Sequence, residues 1–255
     1  KEDTSLPVIA TGSYLKLFLS VNPDLELPIG CTHEILVTPM TFGDFLHNAN
    51  ERLFDVYQKQ PLDQAVDPVY HQQLLEFYYE YLFTGGMPEV VSVYLLTREK
   101  SRMEASLFAR EIQKQLLSGY HNDFLNFSQK KAVVGRNIVE KLALTFDTIP
   151  KELAKYRNSN SPVGRFKFTS LGKNEELRRV SHVFDYLSLS GLIIKSYLAK
   201  IPKYPVMNED QTKNAFKCFY FDVGILQAAL HVPYQKIISD GLSHFKGPIA
   251  ENFVA

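Results

Sequence analysis

The segment NEELRRVSHVFDYLSLSGLIIKSYL, which runs from Asn174 to Leu198, joins a helix-forming pattern directly to a strand-forming one. In its first half, apolar residues recur at intervals of three and four, which places them on one face of an α-helix. This apolar stripe consists of Leu177, Val180, Phe184 and Leu187. We expect Asn174 to cap this helix and Gly191 to end it. The β-rich run that follows predicts a strand.

The neighbouring residues complete a recognisable order of elements. Phe216 to Phe221 predicts an antiparallel partner for the first strand. Upstream, residues 138–146 predict one helix, and Ile149-Pro150 predicts the start of another. Three helices followed by a two-stranded hairpin form a winged helix-turn-helix domain, which the sequence predicts for residues 130–230.

Before this domain, the pattern changes from short strands to long helices. Residues 6–13 and Ile35–Val37 predict strands, and Thr41 stands where a helix N-cap is expected. From about Val69, apolar residues keep a helical period as far as Phe127, interrupted at Gly85-Gly86 and Pro88. The predicted fold class is therefore α+β and predominantly α-helical.

The composition hides an uneven distribution of charge. The 255 residues are 45% hydrophobic and contain 28 basic and 28 acidic side chains, so the formal net charge is zero. Residues 130–203, however, contain fifteen Lys and Arg against six Asp and Glu. Such a division indicates modules with different partners, or modules that dock on each other.

Five basic side chains fall on or just before the predicted third helix of the winged helix-turn-helix. They are Lys167, Lys173, Arg178, Arg179 and His182. A helix-turn-helix presents its DNA-contacting side chains at this place, and both arginines lie away from the apolar stripe. We therefore expect these five residues to contact DNA, with docking on a protein partner as the alternative.

Several chemistries lack their motifs in this sequence. There is no G-x-x-x-x-G-K-[ST] loop for phosphates, no H-E-x-x-H and no paired C-x-x-C. Asp123 beside His121 is better explained as a surface cluster than as an acid–base pair, so no catalytic or metal-ligating residue is assigned. Two cysteines, Cys31 and Cys218, favour a reducing, cytoplasmic location. No apolar run reaches the length of about 18 residues that spans a membrane.

Short motifs spread over the chain resemble those of prokaryotic AAA-superfamily ATPases that carry an uncharacterised C-terminal domain. The most specific are YLFTGGMPEVV and FKCFYFDVGIL, and their order along the chain is that of the family. The main matching segments are Val8–Ser13, Pro39–Leu46, Tyr81–Val91, Tyr120–Phe124, Phe168–Lys173, Tyr186–Ile193, Phe216–Leu226 and Gly247–Val254.

The resemblance implies a division of the chain into four parts. Residues 1–50 would be the C-terminal remnant of a P-loop ATPase core, and residues 51–129 a helical lid with a long connecting helix. Residues 130–230 would be the winged-helix domain, and residues 231–255 the start of a nuclease-like region. Because the family's Walker motifs precede its sensor-1 strand, we expect this chain to be a central fragment.

The resemblance also implies a nucleotide site in the intact protein. Thr11 and Ser13 match the sensor-1 position, which responds to the γ-phosphate of ATP bound with Mg²⁺. No cofactor is expected in this chain, which lacks the phosphate loop, and we expect it to be inactive as an ATPase. Cys31 stands where many relatives have an arginine after a glycine, so a contribution of that arginine to phosphoryl-group stabilisation is not expected here.

Overall fold

The structure is a computed structural model that describes residues 9, 11–12, 33, 35–61, 63–130, 136–155, 165–197, 216–239 and 246–255. The described part contains ten α-helices, one short 3-10 helix and a two-stranded sheet. Their bounds are α1 Phe42–Ala49, α2 Glu51–Lys59, α3 Pro68–Thr84, α4 Pro88–Arg98, α5 Arg102–Lys130, α6 Arg136–Ala154, the 3-10 helix Phe168–Ser170, α7 Leu177–Leu189, β1 Ile193–Tyr197, β2 Phe216–Tyr220, α8 Val223–Ala229, α9 Tyr234–Ser239 and α10 Lys246–Val254. The predicted α+β class with a predominance of helix is confirmed.

The start of α1 follows the sequence prediction closely. Thr41 Oγ1 accepts a hydrogen bond from the Asp44 amide at 3.2 Å, and the Asp44 carboxylate accepts one from the Thr41 amide at 2.8 Å. This reciprocal capping box satisfies two amides that a helix N-terminus otherwise leaves without partners. The box also holds the pKa of Asp44 below its usual value.

The prediction of a strand at Ile35–Val37 is wrong. These residues have no regular secondary structure, and their side chains are exposed. A strand needs a partner for its backbone hydrogen bonds, and none of the described residues pairs with this segment. The other predicted strand, at residues 6–13, lies outside the described residues except for positions 9, 11 and 12.

The two helices predicted around Ile149-Pro150 are a single helix, α6, so that prediction is wrong. Pro150 lies inside α6, and the buried apolar stripe of this helix includes Ile149 before the proline and Leu153 after it. Proline cannot donate a hydrogen bond to the carbonyl four residues earlier. That carbonyl, of Phe146, instead accepts a hydrogen bond from the Tyr220 hydroxyl at 2.7 Å.

The helix α7 and the hairpin match the prediction with one correction. The N-cap is Glu176 rather than Asn174, and its side chain makes no capping hydrogen bond. Gly191 ends the helix with a φ of +71°, a conformation that favours glycine. Strands β1 and β2 are antiparallel, with Ile193 opposite Tyr220 at one end.

Buried side chains form two cores that share α5 and α8. The helical core lies among α1, α3, α4, α5, α8, α9 and α10, and the hairpin core lies among α5, α6, α7, β1, β2 and α8. Val223 of α8 belongs to the helical core, whereas Ile225 and Leu226 belong to the hairpin core. The short helix α8 therefore packs into both.

Candidate nucleic-acid interface

Helix α7 is anchored by one face and leaves the other in solvent. Its buried residues are Val180, Val183, Phe184, Tyr186 and Leu187. Phe184 contacts the Phe166 and Phe216 rings at centroid distances of 5.0 and 5.1 Å. These edge-to-face contacts fix α7 against β2 and against the segment that precedes the 3-10 helix.

All five predicted DNA-contacting residues lie in the described part of the chain and are exposed. Lys167 precedes the 3-10 helix, Lys173 lies in the turn that leads to α7, and the other three are on α7. They are Lys167, Lys173, Arg178, Arg179 and His182. The expectation that Arg178 and Arg179 face solvent is confirmed.

Three nearby lysines form ion pairs, whereas these five side chains do not in the described part of the chain. The basic region pairs Lys141 with Glu175 and Lys195 with Asp185 at 2.9 and 2.7 Å, and it also pairs Lys155 with Glu152. None of the five candidate residues forms an ion pair with a carboxylate in the described part of the chain. Four Lys and Arg side chains around the N-terminal end of α7 are thus exposed and outside any ion pair in the described part of the chain.

Of the two residues predicted for the nucleotide site, one lies in the described part of the chain. Thr11 is exposed and lies outside regular secondary structure, and Ser13 lies outside the described residues. The described residues contain no group of three His, Cys, Asp or Glu side chains that could hold a metal ion. In the same residues, no helix is both long enough and apolar enough to cross a membrane.

His121 has a different partner from the neighbour considered in the sequence. Its Nε2 lies 3.0 Å from Asp147 Oδ1 on α6, and its Nδ1 lies 2.8 Å from the Leu117 carbonyl. Two acceptors favour the doubly protonated imidazolium, and the hydrogen bond with Asp147 raises the pKa of His121. The pair links α5 to α6.

A buried carboxylate for which the sequence predicts no functional role lies where the two cores meet. Asp222 accepts hydrogen bonds from the amides of Ile225 at 2.8 Å and Gly86 at 2.7 Å. Burial raises the pKa of Asp222 to about 6, and the hydrogen bonds from backbone amides oppose that rise. Asp directly before a helical run is an N-cap signal, which could have identified this role from the sequence.

Three glycines at or beside the residues that Asp222 contacts allow very close packing around it. A Cβ on Gly85 would lie 2.2 Å from Asp222 Oδ1, one on Gly86 would lie 2.0 Å from the Met40 carbonyl oxygen, and one on Gly224 would lie 2.3 Å from the Thr84 carbonyl oxygen. Real Cβ atoms do not make such contacts. We call the site formed by Met40, Gly85, Gly86, Asp222 and Gly224 the glycine junction.

Buried amide side chains complete the C-terminal end of α3 beside this junction. Gln113 Nε2 donates hydrogen bonds to the Phe83 and Thr84 carbonyls at 2.8 and 3.0 Å, and Gln227 Nε2 donates one to the Leu82 carbonyl. The last four carbonyls of a helix have no partners within it, so these two glutamines satisfy three of them.

The fold and the site together define a mainly helical α+β protein whose helix–hairpin region exposes a basic face. This basic face consists of Lys167, Lys173, Arg178, Arg179 and His182. The chain belongs to a family described as a domain of unknown function (DUF8612), whose family model matches residues 75–236. The match covers α4 to α8 completely, and with them the glycine junction except Met40. No curated protein and no solved structure matches the chain.

Proposed function

We propose that residues 130–230 form a winged helix-turn-helix domain that binds duplex DNA through the N-terminal end of α7. The observation that carries this proposal is the group of exposed cations without ion-pair partners in the described part of the chain. Cations so placed neutralise phosphates and release the counterions of DNA. Helix α7 followed directly by an antiparallel two-stranded hairpin also supports the proposal, because a winged helix-turn-helix ends in this pair of elements.

The proposal is tested by the affinity for a fluorescein-labelled 20-base-pair duplex, measured by anisotropy. The test variant is Lys173→Glu/Arg178→Glu, and the matched control is Lys100→Glu/Lys114→Glu, which changes the net charge equally at exposed sites of the helical part. We expect the test variant to lose about tenfold or more in affinity and the control to change by less than about twofold. Equal losses in both variants, or no binding by the wild-type chain, would overturn the proposal.

A protein partner is the alternative occupant of the same region. Leu189, Ile194 and Tyr197 expose 43%, 36% and 41% of their surfaces near the basic face. Exposed apolar side chains favour contact with a protein rather than with phosphates. Under this alternative, the wild-type chain would show no salt-sensitive binding to duplex DNA.

We also propose that the chain is related to AAA-superfamily ATPases and corresponds to their lid and winged-helix parts. Contacts between distant segments support this relation. The Met40 amide donates to the Gly86 carbonyl, and the Tyr81 hydroxyl donates to the Met40 carbonyl, both at 2.8 Å. Asn252 exchanges two hydrogen bonds with the backbone of Tyr220. Four of the resembling segments thus pack as one unit.

ATP and Mg²⁺ would be bound in relatives by phosphate-binding motifs that this 255-residue sequence does not contain. We therefore expect calorimetric titration of the chain with Mg-ATP to show no binding at micromolar concentrations. A micromolar isotherm would contradict this part of the proposal.

A further inference from the structure

The exposed side chains of α7 are not equivalent. Arg178, His182, Asp185 and Leu189 are separated by four, three and four positions, so they share the outward face of the helix. Arg179 lies next to this face, on the flank of the helix. Its Nη1 donates a hydrogen bond to the Asn174 carbonyl at 3.1 Å, which ties the guanidinium to the preceding turn.

The positive charge of the outward face is confined to its N-terminal half. Asp185 follows about two turns after Arg178, and its carboxylate is held by Lys195 of β1 at 2.7 Å. Leu189 follows with an uncharged side chain. If α7 approaches DNA, its C-terminal half brings no free cation to the phosphates, so its N-terminal end must make the closest contact.

We propose that Arg178 is the residue that reads base sequence, by hydrogen bonding to the O6 and N7 atoms of a guanine in the major groove. This inference rests on the proposed binding of duplex DNA by α7. Recognition helices contact base edges with their N-terminal residues, and arginine paired with guanine is the commonest specific contact. Arg178 is the arginine on the outward face, whereas Arg179 and Lys173 lie where they would contact the backbone phosphates.

The test begins with selection of bound sequences from a randomised 20-base-pair duplex library by the wild-type chain. Affinities are then measured for the selected duplex and for one in which the enriched guanine pair is replaced by an adenine pair. We expect the wild-type chain to prefer the guanine duplex by about tenfold. Arg178→Ala should bind both duplexes with similar affinity. Arg179→Ala should bind both more weakly but keep the wild-type ratio, because phosphate contacts carry no sequence information.

The comparison of the two alanine variants separates base-specific recognition from electrostatic attraction to the DNA phosphates. Both arginines are exposed and lie in the same helical turn, so the loss of one charge at the same end of α7 is matched. The inference would be overturned if Arg178→Ala kept the wild-type ratio of affinities for the guanine and adenine duplexes, or if Arg179→Ala lost this ratio. Wild-type binding without any base preference would also overturn it, yet leave the proposed function intact. An absence of duplex binding by the wild-type chain would overturn both.

Discussion

Asp222 is buried within the glycine junction, where it caps α8 and accepts a hydrogen bond from the Gly86 amide. Its pKa of about 6 lies above the ordinary value of 3.8, so the folded chain binds this proton more tightly than the unfolded chain. Protonation of Asp222 therefore stabilises the folded state at low pH, and this contribution is lost as the pH rises through about 6.

We expect the wild-type chain to gain stability relative to Asp222→Asn as the pH falls from 7 to 4. Asparagine has a similar shape but does not titrate, so the difference between the two chains isolates the carboxyl group. Urea unfolding at several pH values measures this difference. A difference that stays constant over the range would show that the pKa of Asp222 is not raised.

Gly85 and Gly119 should respond oppositely to alanine. Gly85 has a φ of +69° and no room for a Cβ, so Gly85→Ala should destabilise the chain by several kcal/mol, on the order of 3 or more. Gly119 is exposed inside α5 with no atom in the way of a Cβ. Gly119→Ala should stabilise the chain by about 0.5–1 kcal/mol. Thermal melting of the two variants measures both changes in stability. A small loss of stability in Gly85→Ala would contradict the close packing of the glycine junction.

At the scale of elements, the continuity of α6 depends on a contact from β2. The Tyr220 hydroxyl takes the place of the amide hydrogen that Pro150 lacks, and its ring stacks on Phe146 with centroids 4.6 Å apart. The sequence predicts a helix boundary at Ile149-Pro150, because proline usually interrupts helices. The compensating hydroxyl is seventy residues later in the chain, beyond the reach of any local pattern.

We expect the effects of Tyr220→Phe and Pro150→Ala to be strongly coupled. In the wild-type chain, Tyr220→Phe leaves the buried Phe146 carbonyl without a partner, which costs about 1–3 kcal/mol. In the Pro150→Ala background, the Ala amide can form the ordinary helical bond to this carbonyl, so the same change should cost clearly less. A double-mutant cycle by denaturant unfolding measures the coupling. Additive effects would contradict the compensation.

Local signals explain which elements the sequence predicted correctly. Thr41 with Asp44 specifies a helix start, and Gly191 specifies a helix end, because each needs only neighbouring residues. Ile35–Val37 has the composition of a strand, but strand formation depends on a partner, and none of the described residues pairs with it. Glu176 replaced Asn174 as the N-cap, a shift within the usual uncertainty of helix ends.

At the scale of the whole molecule, distant motifs meet in one junction between the two cores. Gly85-Gly86 and Asp222 could be recognised as parts of specific motifs in the sequence, but their contact could not, because 136 positions separate Gly86 from Asp222. The exposed basic face was more accessible to prediction. Arg178 and His182 lie opposite the apolar stripe of α7, so their orientation could be predicted from spacing alone. The ion pair between Lys195 and Asp185 depends on tertiary packing and could not be predicted in this way.

The salt dependence of duplex binding tests the central claim, that this basic face contacts DNA phosphates. Three cations at the N-terminal end of α7 and in the segment before it are available as phosphate contacts: Lys167, Lys173 and Arg179. A plot of log K against log salt concentration should therefore fall with a slope of roughly −3. The variant Lys173→Glu/Arg179→Glu should lower the magnitude of this slope by about 2. A slope near zero, or one unchanged in the variant, would contradict the account.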